Sequence, residues 1–287
     1  MRSALLLLLV LGATTAAGCG LGAGDSQDGG ATVTVTRDFG ARELGTGSVD
    51  PIPGGETVMR MLQRGFDVDT RYGGGFVQEI NGIAGGRENG RPVDWFYYVN
   101  GILADDGAAA HKVTAGDRIW WDHHDWSATQ DVRAVVGAFP EPFESGVDGK
   151  RLPVRIDCAD DAAKVCDEVA DRLADEGIKS GRSAVAGFGG EGVLRIKVGP
   201  WAELRRDAAV RRIEEGPRVS GVYAKPAPDG RSIALLDPEG KTVRTLGPDG
   251  GMIAATRLGG EAPAWVITGT DVAGVAAAAA QLQEDTL

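Results

Sequence analysis

Residues 31–39, ATVTVTRDF, alternate apolar and polar positions with the two-residue period of a β-strand and open the first folded stretch of the chain. The period then changes. In ETVMRMLQRGF, Val58, Met61, Leu62 and Phe66 recur at helical spacing, which predicts a short helix closed at Gly65. Residues 76–80 return to strand and stop at Asn81-Gly82; residues 94–99 form another strand that stops at Asn100-Gly101, with Ile102 and Leu103 leading back. Asn-Gly favours a two-residue hairpin turn because both positions tolerate positive φ. Residues 113–117 turn the chain into a strong strand over 118–125, and residues 132–143 read as a short strand broken by Pro140 and Pro142. A strand, a helix and several strands joined by tight turns predict a mixed sheet with one helix packed on a face.

Residues 144–149 read as a link. Residues 152–157 then predict a strand, and residues 160–176 a helix with Val165, Val169 and Leu173 at steps of four and Gly177 as its stop. A strand over 193–198 precedes a helix opened by Pro200 and ended by Gly216-Pro217. Strands over 219–224, 232–237, 242–246, 252–258 and 265–268 follow, and Thr270 or Asp271 is placed to cap an Ala-rich C-terminal helix. The 287 residues therefore divide into an N-terminal processing segment (1–18), a tether (19–30), a first domain (31–145) and a second domain (151–287), and the fold class is α+β.

The N-terminal segment carries Arg2, an apolar run from Ala4 to Leu11 and small residues ending in Ala16-Ala17-Gly18-Cys19. It is too short for a permanent bilayer-spanning helix and has the form of an export signal. Its last four residues resemble a bacterial lipobox, which implies cleavage before Cys19 and lipidation of that residue; an ordinary secretory signal with a coincidental cysteine is the alternative. The Gly-rich polar GLGAGDSQDGG after it reads as a tether. Formal net charge is −11, and −12 once the segment holding Arg2 is removed. Such an acidic chain repels nucleic acid and anionic lipid, so the expected membrane contact is the lipid on the extracytoplasmic face. Cys158 and Cys166, eight apart in an exported chain without CxxC spacing, are expected to form a disulfide that pins a strand-to-helix corner.

Aromatic chemistry is concentrated in one place. DWFYYVNGILADDGAAAHKVTAGDRIWWDHHDW, residues 94–126, holds four of the six tryptophans, two of the four tyrosines and all three histidines. Strand alternation puts Trp95, Tyr97 and Val99 on one face and Phe96 and Tyr98 on the other; Ile119, Trp121, His123 and Asp125 alternate with Trp120, Asp122, His124 and Trp126. A sheet with one face on a helix leaves the other to be covered, and Trp95, Tyr97, Trp120 and Trp126 are the candidates for an exposed aromatic platform. In Asp122-His123-His124-Asp125 adjacent side chains point to opposite faces, so neither face gathers the three ligands of a catalytic zinc site and no metal site is expected.

The blocks VTVTRDFG, ETVMRMLQ, FVQEINGI, DWFYYVNGI and GDRIWWDHHDW together resemble a widespread bacterial extracellular domain of the DUF4430 type, related to the C-terminal domain of transcobalamin and intrinsic factor, over about residues 31–143. The resemblance implies a β-grasp-like fold. In the animal cobalamin carriers this domain covers one side of the corrinoid while an α-helical barrel supplies the other, and no such barrel is legible in this chain. What the resemblance implies is a small ligand, with cobalamin or another corrinoid as the candidate, delivered to a membrane importer; His124 would be the imidazole available to a corrinoid cobalt. The competing reading is an envelope structural or adhesion module that stacks its rings on glycan or holds a protein partner. There is no GxSxG, HExxH, Walker A or SxxK, so the chain is not expected to be an enzyme. Gly187-Phe188-Gly189-Gly190-Glu191-Gly192 matches GxGxxG by letter but precedes a strand instead of following one, and is read as a loop.

Overall fold

The computed structural model describes residues 24–147, 149–185, 192–257, 261–284 and 286. The expected lipidation site Cys19, the signal-like segment and residues 187–191 of the GxGxxG match lie outside the described residues. The first unit comprises β1 (Ala31–Arg37), β2 (Arg42–Val49), α1 (Val58–Gly65), β3 (Val68–Arg71), β4 (Phe76–Ile80), β5 (Ile83–Ala84), β6 (Gly86–Glu88), β7 (Arg91–Val99), β8 (Ile102–Leu103) and β9 (Arg118–Asp125). Its main sheet has the order β2-β1-β9-β7-β6, with β1 and β9 parallel at the centre and their outer neighbours antiparallel. An opening hairpin, a crossing helix and a closing strand inserted parallel to the first give the β-grasp-like arrangement. α1 starts where Thr57 accepts a hydrogen bond from the Arg60 amide (3.2 Å) and buries Val58, Met61 and Leu62 in one cluster with Val33, Val35 and Trp121. Both Asn-Gly turns form with φ positive at each residue, +49° and +81° at Asn81-Gly82 and +54° and +75° at Asn100-Gly101.

The second unit comprises β10 (Val154–Cys158), α2 (Ala163–Asp175), β11 (Ser180–Ala184), β12 (Leu194–Pro200), α3 (Trp201–Leu204), α4 (Ala208–Arg211), α5 (Pro217–Ser220), β13 (Ala224–Pro226), β14 (Ile233–Leu236), β15 (Thr242–Leu246), β16 (Gly251–Thr256), β17 (Ala264–Gly269) and α6 (Val272–Ala279). A five-stranded sheet β11-β10-β12-β17-β16 is parallel except at β16, and β13-β14-β15 form a separate antiparallel sheet. α2 and α6 bury Val169, Leu173, Val275 and Ala279 over the larger sheet. Asp271 caps α6 by accepting from the Gly274 amide (2.8 Å). Cys158 and Cys166 form a disulfide with Cα atoms 6.2 Å apart, joining the end of β10 to the first turn of α2.

Three expectations are corrected. Residues 132–143 form no strand beyond one bridge, Ala134 to Ile102; Phe139 and Phe143 instead turn into the second unit and pack on Trp265 at 6.2 and 4.9 Å. The single helix expected after Pro200 is broken into short pieces because Asp207 starts a new helix at α4, accepting from the Ala209 and Val210 amides. The strand expected over 219–224 is mostly α5 and the turn after it, where Gly221 takes φ +71°.

Candidate functional site

The pairing of β7 with β9 decides which rings share a face. Trp95 sits opposite His123, Tyr97 opposite Trp121 and Tyr98 opposite Trp120. Trp95, Tyr97, Trp121 and His123 therefore lie under α1, and Phe96, Tyr98, Trp120, Asp122, His124 and Trp126 lie on the other side. The expectation of one exposed platform fails for this reason: Trp95 and Tyr97 are 6% and 8% exposed, in the helix-side core, while Trp120 and Trp126 are half-buried on the opposite face. Trp95 donates its indole N–H to the Ile83 carbonyl (2.9 Å), and Tyr97 its hydroxyl to the Asp106 carbonyl (2.6 Å). Burial, then the nearby Asp106, push the Tyr97 phenol well above its ordinary pKa.

The face away from α1 carries a polar centre built on Asp122. Its carboxylate, wholly buried, accepts from the Thr36 hydroxyl, from the Phe39 (2.9 Å) and Gly40 (3.1 Å) amides, and pairs with His124 Nδ1 (2.9 Å). Burial works against its charge, but the His124 contact and the Thr36 and Gly40 hydrogen bonds outweigh it and hold the carboxyl below its ordinary pKa. His124 is 1% exposed, sandwiched between Phe39 (4.1 Å) and Phe96 (4.4 Å), with Phe39 continuing to Tyr223 of the second unit at 5.0 Å. With its Nε2 also buried, His124 has no route to the cobalt of a bound corrinoid. On the helix side, burial lowers the pKa of His123, whose Nε2 lies 3.2 Å from the Ala84 carbonyl oxygen.

Beside this centre runs a groove of about 550 Å³. Thr32, Thr34 and Thr36 of β1 and Trp120 of β9 line it, because the parallel β1–β9 register sets Thr34 against Trp120. Phe39 and residues 135–138 form further walls. The Trp120 indole N–H donates to the Thr36 hydroxyl oxygen (2.7 Å), and that hydroxyl donates onward to Asp122, so the ring is fixed to the polar centre. Arg118, which pairs with Glu284, and Thr286 also line the groove. The groove offers an aromatic face, threonine side chains and an apolar wall, a lining suited to a small amphipathic ligand. Of the four expected ring residues it contains Trp120 alone. The threonines and Phe39 were missed as site residues, although VTVTRDF spaces its threonines every second residue.

The first unit is thus a β-grasp-like module with a ligand-sized groove on the sheet face opposite its helix. Residues 55–125 match the family model described as Domain of unknown function (DUF4430); the match runs from α1 to β9 and leaves the second unit without an assigned family. No curated protein matches the chain. Among solved structures the chain is similar to one described as "Crystal structure of a putative metal binding protein from Ruminococcus gnavus ATCC 29149", at 16% identity and a TM-score of 0.28, over 34% of this chain and 98% of that one. Among the described residues no cluster of three or more His, Cys, Asp or Glu side chains is arranged to hold a metal ion, and no helix is long and apolar enough to cross a membrane.

Proposed function

We propose that the protein binds a small ring-bearing ligand in the Trp120 groove, on the extracytoplasmic face of a membrane to which lipid on Cys19 tethers it, and hands that ligand to a membrane importer. The observation that supports this is the groove itself. Its volume of about 550 Å³ falls within the range of small-molecule sites, and one indole is held rigidly beside a row of threonines. Cobalamin or another corrinoid is the specific ligand suggested by the family resemblance; the groove would take one edge of the macrocycle and leave the remainder to another surface. The test is equilibrium dialysis of the detergent-solubilised full chain against cobalamin. Micromolar binding that weakens at least tenfold in Trp120→Ala supports the reading, and cobalamin that does not bind, or binds Trp120→Ala equally well, overturns the corrinoid ligand.

A second reading, an envelope adhesion module, is favoured by one observation. Tyr72 is 87% exposed and meets Phe76 edge-on at 6.1 Å on the Gly-rich turn between β3 and β4, outside the groove. Retention on cell-wall glycan that is lost in Tyr72→Ala and kept in Trp120→Ala would decide for it.

A further inference from the structure

We propose that the seam between the two units is a separate binding site, for a small zwitterion of the amino-acid or dipeptide class. A cavity of about 470 Å³ lies there. The β7–β8 turn and the loop after it, through Thr114, wall one side; the link at Gly146, Val147 and Gly149 and the Arg257 side chain wall the other. The cavity shares no lining residue with the Trp120 groove.

Arg257 carries the first half of the argument. Its side chain is only 10% exposed. Nε donates to the Glu261 carbonyl (2.8 Å), and Nη1 reaches Asp105 only at 3.5 Å, the outer limit of a hydrogen bond. A guanidinium has five N–H donors, and those on Nη2 have no acceptor among the described residues. A carboxylate presents two oxygens in the geometry that satisfies such a fork. Lys112, exposed on the first unit's wall and in no ion pair among the described residues, supplies a second cation for the same carboxylate.

The second half comes from the acids on the same lining. Asp106 is anchored through one oxygen only: Oδ1 lies 2.8 Å from His111 Nδ1 and 3.2 Å from the Tyr97 hydroxyl. Its Oδ2, and Oδ1 of Asp105, have no hydrogen-bond partner among the described residues. Asp117, by contrast, is already engaged by Asn100 and Thr114. One cavity therefore sets a guanidinium with open donors and an unpaired ammonium against two carboxylates, 72% and 51% exposed, that each retain an open oxygen. A ligand with charges of both signs, its carboxylate on Arg257 and Lys112 and its ammonium on Asp105 and Asp106, satisfies all of them at once; a simple anion would face the two aspartates and a simple cation would face Arg257.

The test is isothermal titration of the detergent-solubilised full chain with glycine, glutamate and glycylglycine, with acetate and ethylamine as half-ligand controls. Saturable binding of at least one zwitterion is expected, at least tenfold tighter than either half-ligand. Arg257→Gln should weaken it tenfold or more, and Lys112→Gln and Asp106→Asn several-fold, while Trp120→Ala leaves it unchanged. Should Arg257→Gln lose its far-UV circular dichroism, the solvent-facing Lys112→Gln and Asp106→Asn decide alone. Absence of saturable binding by all three zwitterions overturns the proposal. So does acetate binding as tightly as glycylglycine, or binding that every folded seam variant retains at full strength.

Discussion

Asp122 holds together both the fold of the first unit and the rim of its groove, so replacing it tests the two together. In Asp122→Ala four donors lose this acceptor: the Thr36 hydroxyl, which keeps only a 3.5 Å approach to the Trp121 carbonyl, the Phe39 and Gly40 amides, and His124 Nδ1. An unsatisfied buried donor costs about 1–3 kcal/mol. Thr36 and His124 stay sealed from water, whereas the two amides belong to a partly exposed turn and fall at the low end, so the loss should be about 4–6 kcal/mol. Set against a typical domain stability of about 5–15 kcal/mol, that brings the first unit near the edge of unfolding. Asp122→Asn is the milder probe. Its carbonyl oxygen still accepts from Thr36 and Gly40, and His124 can change tautomer to accept from the new amide, but the Phe39 N–H then faces an N–H donor; the expected loss is about 1–3 kcal/mol. Urea unfolding followed by circular dichroism and tryptophan fluorescence measures both. The carboxyl's folded pKa lies below its unfolded value of about 3.9, so its contribution is fully present above that pH and is lost as pH falls through the folded value. The gap between wild type and Asp122→Asn should therefore be widest near neutrality and narrow below about pH 4. An Asp122→Ala protein within about 1 kcal/mol of wild type at neutral pH would refute this account of the centre.

Three further perturbations probe other parts of the molecule. Changing Cys158 and Cys166 together to Ser opens a short loop and should cost about 2.5 kcal/mol, measured as a lowered urea midpoint matched by adding reductant to wild type. Lys197, buried between Asp157 (2.8 Å) and Asp207 (2.7 Å), holds two carboxylates; Lys197→Met leaves Asp157 with Arg195 and Ser183 but strips Asp207 of its cation, and thermal unfolding should show a loss of about 2–4 kcal/mol. Gly101 takes φ +75° and a Cβ there would stand 2.8 Å from the Val135 carbonyl oxygen, so Gly101→Ala should lose about 1–3 kcal/mol, and an unchanged unfolding midpoint would show that the segment at Val135 yields freely.

What the sequence made legible follows from how local each signal is. α1, β4, β7 and β9 announce themselves by period, and both hairpin turns by Asn-Gly, since these depend on side chains a few residues apart. β2 was hidden: its RELGTGSV is half exposed along its length and is held at the sheet edge by backbone pairing to β1, which leaves no apolar alternation to read. The break after α3 has a local mark, Asp207 ahead of an Ala-rich turn, a standard helix start. The site was harder for a different reason. Alternation says that Trp95 and Tyr97 share a face, and that Trp120 and Trp126 share one, but whether the two faces coincide depends on the register between β7 and β9. The long loop between β8 and β9 does not fix that register, and a slip of one residue would exchange the faces of every ring on β9. The observed register sends Trp121 and His123 under α1 and leaves Trp120 beside Tyr98, while the parallel pairing of β1 with β9 brings the threonines of residues 32–36 alongside the same ring. The groove is thus a product of two strand pairings between residues some twenty to ninety positions apart. Its residue types were visible in the chain, and their meeting was not, because the energy that selects the register comes from burying the other face under the helix.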